Sequence, residues 1–107
     1  MLSTDAKKMI FVLYGEYKNR RNHGISKNDS KEFQSPESIQ ESFFPLWSID
    51  DVDSAMRELD KNGYLQVVYA SGTINDCCIT DEAIAKLENQ PKETFLNIAD
   101  FISKFIP

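Results

Sequence analysis

Residues 48–64 read SIDDVDSAMRELDKNGY, and their reading decides how the rest of the chain is organised. Ser48 is a helix cap, and Asp51 stands three residues later, where a capping box places its acid. Ile49, Val52, Met56 and Leu59 recur at helical spacing with Ala55 beside them, so one stripe faces a core. Gly63 supplies the helix stop. The stretch predicts a capped amphipathic helix that turns tightly into a strand at Tyr64. Its outward face is acidic: Asp50, Asp53, Ser54, Arg57, Glu58 and Lys61 lie there.

Downstream, Tyr64–Tyr69 (YLQVVY) is β-rich, with Leu65, Val67 and Tyr69 on one face. Ala70-Ser71-Gly72-Thr73 reads as a turn and Ile74–Ile79 as the returning strand, which makes a hairpin. Thr80 caps a short helix from Asp81 to about Asn89, with Ala83, Ile84 and Leu87 inward. Pro91 opens a closing helix to about Ile106, whose Phe95, Ile98, Ala99, Ile102 and Phe105 or Ile106 form an apolar stripe, with Phe101 off its centre.

Upstream, a first helix is expected from about Thr4 to Arg20, capped by Ser3 or Thr4. Met9, Ile10, Leu13 and Tyr17 form its stripe, with Val12 and Tyr14 at the edges. Asn22–Gln34 (NHGISKNDSKEFQ) is polar and turn-rich, and reads as a mobile loop with the remnant of a first strand at Gly24-Ile25-Ser26. Ser35-Pro36-Glu37 opens a second helix. Ile39, Phe43 and Phe44 make its apolar side, and Pro45 ends it.

Helix, helix, helix, strand, turn, strand, helix, helix is an α+β order, and three helices followed by a hairpin is the winged-helix arrangement. The expectation is one domain over residues 1–107. Its core spans about 4–80, with C-terminal helices at about 81–89 and 91–106.

The 107 residues are 41% hydrophobic and 27% charged, which excludes a disordered tail. No apolar run approaches the roughly 20 residues of a membrane span, and no signal-peptide pattern precedes the first helix. The adjacent Cys77 and Cys78 are poorly placed to bridge each other, so free thiols and a cytoplasmic location are expected. His23 is the only histidine and lies far from the cysteines, so no metal site is expected. There is no Gly-rich phosphate loop and no nucleophile–base pair. Asp50 and Asp51 point about 100° apart on a helix and cannot share an ion. Neither an enzymatic role nor a cofactor is expected.

The net charge of −5 is divided unevenly. Residues 1–35 carry seven Lys/Arg against four Asp/Glu, and residues 36–107 carry five against thirteen. DNA contact would therefore have to use the N-terminal part.

The run from Ser48 to Tyr64, followed by a hairpin and ITDEAIAKLE, resembles winged-helix proteins of bacteria and their phages. It is similar to the small YjcQ-like family, often found among phage-related genes. The shared features are the AKKMIFVLYGEY helix, the AMRELDKNGYL block, a short wing, a segment like the family's T-x-x-G-x-x-x-L, and a closing helix ending near FISKFI. The likeness covers most of the chain, though its motifs are mainly those of the fold. Ala83 stands where the family often has glycine, and the loop at 22–34 is long. The resemblance implies a winged-helix fold and a regulatory role, and carries over no catalytic residue.

Two functions follow. The first is a DNA-binding transcriptional regulator of helix-turn-helix type, bacterial or phage-related. Its contacts would be Lys18, Arg20, Arg21, His23, Lys27 and Lys31, with Arg57 and Lys61 from the third helix. The alternative is a protein-interaction module without DNA binding, in which Asp50 and Asp53 meet a basic protein partner. There the closing stripe of Phe95, Ile98, Phe101, Ile102 and Phe105 would be an interface, including that of a homodimer. The acidic third helix opposes the first, because a major-groove helix brings Arg, Lys, Asn or Gln to the bases. The turn Ala70–Thr73 likewise has no basic tip.

Overall fold

The computed structural model describes residues 1–90, and its first helix, α1 (Thr4–Asn22), begins where Ser3 Oγ accepts from the Ala6 amide. Ala6, Met9, Ile10, Leu13, Tyr14 and Tyr17 are buried along one side. The expected stripe is present, and Tyr14 belongs to it rather than to its edge.

The segment expected to be a mobile loop is folded. It forms α2 (Lys27–Lys31) and β1 (Glu32–Phe33). Ser26 caps α2 by accepting from the Asp29 amide, and Ser30 is fully buried with its hydroxyl donating to the Ile25 carbonyl. The first strand lies eight residues beyond Gly24-Ile25-Ser26, because burial selects Phe33 (3% exposed) over Ile25 (39% exposed). Arg20 then fixes the segment from α1. It donates to the carbonyls of Ser30 (3.3 Å) and Glu32 (2.6 Å), and its guanidinium lies 4.5 Å from the Phe33 ring.

Helix α3 (Pro36–Phe43) is capped by Ser35 and buries Ile39. Phe44 and Trp47 pack at 4.3 Å between ring centroids, and Gln40 donates to the Trp47 carbonyl at 2.7 Å, which sets the turn into the next helix. Helix α4 (Ile49–Lys61) is capped by Ser48 through the Asp51 amide and buries Val52, Ala55, Met56 and Leu59. Ile49, expected in that stripe, is exposed instead. As the first residue of the helix it lies beyond the edge of the core.

Strands β2 (Leu65–Ala70) and β3 (Thr73–Ile79) form the hairpin, and β1 pairs with the other side of β3 to give the order β1-β3-β2, antiparallel throughout. Ser71 and Gly72 both have positive φ (53° and 77°), the signature of a two-residue primed turn. A bulge follows, since Val68 pairs with Asp76 and Tyr69 with Ile74. Helix α5 (Asp81–Glu88) is capped by Thr80 and closes the core with Ala83, Ile84 and Leu87.

The described residues thus form an α+β fold of five helices and a three-stranded sheet around one apolar cluster. None of these helices is long and apolar enough to cross a membrane. The expected closing helix over 91–106, with Phe95, Ile98, Phe101, Ile102 and Phe105, lies outside the described residues.

Candidate functional site

The outer face of α4 is the surface on which the two functions differ. At its head Asp50 and Asp51 are exposed and suit the positive end of the helix dipole. One turn later the charge is consumed internally. Arg57 Nε binds Asp53 Oδ1 at 2.6 Å, and the same guanidinium donates to the Gly72 carbonyl at 2.9 Å. It also lies 5.3 Å from the Tyr69 ring. Arg57 is therefore a bracket between α4 and the hairpin turn. The neighbouring Asp60 accepts from the Tyr69 hydroxyl (2.9 Å) and the Val67 amide (3.4 Å), covering part of the open edge of β2.

Glu58 is occupied too, accepting from the backbone and side chain of Ser3. These bonds hold its carboxyl below the ordinary glutamate range. Lys61 is exposed at the end of α4. What α4 offers outward is thus a pair of open carboxylates at its head, beside the exposed side chains of Leu46 and Ile49. The hairpin tip, Ala70–Thr73, contributes no charge.

The basic segment divides in two. Arg20 is spent on Glu16 (3.1 Å), two carbonyls and the Phe33 ring. The His23 ring bonds the Asn19 carbonyl through Nδ1. Lys31 binds Asp81 at 3.0 Å, which lifts the lysine and depresses the aspartate from their usual values. These three side chains build the fold. Lys18, Arg21 and Lys27 instead line one cleft of about 450 Å³, together with Tyr14, Tyr17, Asn22 and Glu88. Lys18 lies 5.7 Å from the Tyr14 ring, and Arg21 donates to the Ile25 carbonyl at 3.1 Å. Lys27 makes only a loose second contact to Asp81, at 3.9 Å.

The i, i+4 pairs Asp53–Arg57 and Glu16–Arg20 are readable as sequence spacings. No spacing rule joins Arg57 to Gly72, Ser3 to Glu58 or Lys31 to Asp81, because each pair meets only after helices and sheet have packed. Of the DNA contacts expected from sequence, Arg20, His23, Lys31 and Arg57 thus have structural partners, Lys18, Arg21 and Lys27 converge, and Lys61 stands apart on α4. Of the expected protein contacts, Asp50 is open and Asp53 is paired.

Cys77 is buried on β3 with its thiol against the Gln34 carbonyl (3.5 Å), and burial pushes its pKa up to about 12. Cys78 on the opposite face is partly exposed, and burial raises its pKa as well. Neither thiol has the lowered pKa of a nucleophile.

Comparison of the chain with protein-family models, with curated proteins and with solved structures returns no match.

Proposed function

We propose that this chain is a non-enzymatic winged-helix regulatory module that binds a basic protein partner through the outer face of α4. The order α1, α2, β1, α3, α4, β2, β3 and the β1-β3-β2 sheet support the winged-helix reading, with α2 as an addition between α1 and β1. The resemblance to YjcQ-like proteins supports the same reading.

One observation carries the choice of partner. The head of α4 keeps Asp50 and Asp51 open while its arginine is folded back onto Asp53 and Gly72. Two open carboxylates repel phosphate and attract lysine or arginine. Leu46, 74% exposed in the turn that precedes α4, offers apolar surface. Affinity capture from cells expressing the chain tests this with the Asp50→Asn, Asp51→Asn double variant, since asparagine preserves the geometry and removes the charge. A basic protein retained by the wild type and by Lys27→Gln, but lost with the double variant, is the expected result. Capture that is indifferent to the two aspartates defeats the reading.

A second reading, a DNA-binding transcriptional regulator, is favoured by the convergence of Lys18, Arg21 and Lys27 on one cleft. Such contact would anchor the phosphate backbone without reading bases. It calls for a gel shift at low salt over genomic fragments, and a complete absence of shifted species removes it.

A further inference from the structure

We infer that the cleft between the end of α1 and the start of α2 is a binding site for a phosphate-bearing ligand. Tyr14, Tyr17, Lys18, Arg21 and Asn22 recur at the spacing of one helical face, so α1 alone presents two cations and an amide toward the cleft. Lys27 comes from the other side. It is held there because α2 is fixed by two contacts outside the cleft: Arg20 on the Ser30 carbonyl, and Lys31 on Asp81. The scaffold thus spends two cations on keeping three others together.

Among the described residues, the three cations share the cleft with the Glu88 carboxylate, and Asp81 lies 3.9 Å from Lys27. The donors suit a polyanion. A guanidinium has five N–H donors, of which Arg21 commits one group to Ile25, and the lysine ammonium groups and the Asn22 amide add others. Phosphate oxygens accept several such bonds at once. The volume of about 450 Å³ falls within the roughly 300–1,000 Å³ of small-ligand sites. The site is independent of the α4 surface. It shares residues with the DNA reading without requiring it, because a free diphosphate and a nucleic-acid backbone present the same chemistry.

Amide chemical-shift titration of the full chain with sodium pyrophosphate at low salt tests the inference. Saturable shifts concentrated at Lys18, Arg21, Asn22 and Lys27 are expected, weakened about fivefold by Lys27→Gln, as the loss of one near charge in water implies. That variant keeps the fold because Lys31 retains Asp81. Asp50→Asn should titrate like the wild type. Competition by a duplex oligonucleotide identifies the phosphate as that of a nucleic acid, with a salt slope lowered by about one in Lys27→Gln. Pyrophosphate binding without competition identifies a small phosphorylated ligand and leaves the DNA reading to fail alone. Shifts spread evenly over surface lysines such as Lys7, Lys61 and Lys86, or an unchanged affinity in Lys27→Gln, overturn the inference.

Discussion

Ser3 donates its backbone amide to one carboxylate oxygen of Glu58 (2.6 Å) and its hydroxyl to the other (2.7 Å), while the same hydroxyl accepts from the Ala6 amide. One serine thus starts α1 and ties that start to α4, fifty-five residues away. Ser3→Ala should cost about 1 kcal/mol from the lost cap alone. Glu58→Gln should cost less, because it keeps the shape and loses only the charge. Urea denaturation of both variants measures the difference, and equal stability to wild type in both would contradict the tie.

Acid should weaken the fold in a defined window. The carboxyls of Glu58 and Asp81 are both held below their ordinary values, the first by Ser3 and the second by Lys31. A depressed folded-state pKa contributes stability that is complete above the unfolded value, near 4, and is lost as pH falls through the folded one. Stability should therefore decline as pH falls below about 4, and Asp81→Asn should flatten that decline. Denaturation midpoints measured between neutral and acidic pH decide it.

Arg20 is the support of the α2–β1 segment, so Arg20→Ala should leave two carbonyls without their charged donor and cost about 2–3 kcal/mol. Arg20→Lys should rescue poorly, because an ammonium cannot reproduce the planar fork over Phe33. Hydrogen exchange at residues 26–33 should accelerate in both. Undisturbed protection there would refute this account.

Gly72 has φ of +77° at the hairpin tip, with open space around its α-carbon. Gly72→Ala should destabilise the chain by about 1–2 kcal/mol through backbone strain alone. Thermal unfolding reports the cost. Arg57→Ala leaves the turn conformation alone but removes its bracket to α4, so backbone relaxation at Ser71–Thr73 should reveal faster motion.

The two thiols should react in sequence. Iodoacetamide should label the partly exposed Cys78 first, with Cys77 following only on unfolding, since its pKa stands near 12 within the core. The raised pKa also means that folding holds the Cys77 proton more tightly. That contribution to stability is complete below about 8.5 and is lost as pH rises toward 12. Mass mapping of native and denatured samples checks the order.

Outside residues 22–34, helix and strand positions up to residue 90 are legible in the sequence because caps, apolar periodicity and turn glycines act over three or four residues. Ser3, Ser35, Ser48 and Thr80 each cap the helix that the sequence assigns to them. The segment 22–34 differs from its sequence expectation for the opposite reason. Its α2 and β1 draw on one buried phenylalanine, one buried serine and an arginine ten residues upstream, and no local pattern records such support. The acidic head of α4 and the basic run of residues 18–31 were visible as composition. Only the tertiary structure decided which of those charges remain available. Packing brought Arg57 to Gly72, Glu58 to Ser3 and Lys31 to Asp81, gathered Lys18, Arg21 and Lys27 along one cleft, and left Asp50 and Asp51 exposed. Sequence determined the charges, and long-range geometry determined which of them another molecule can meet.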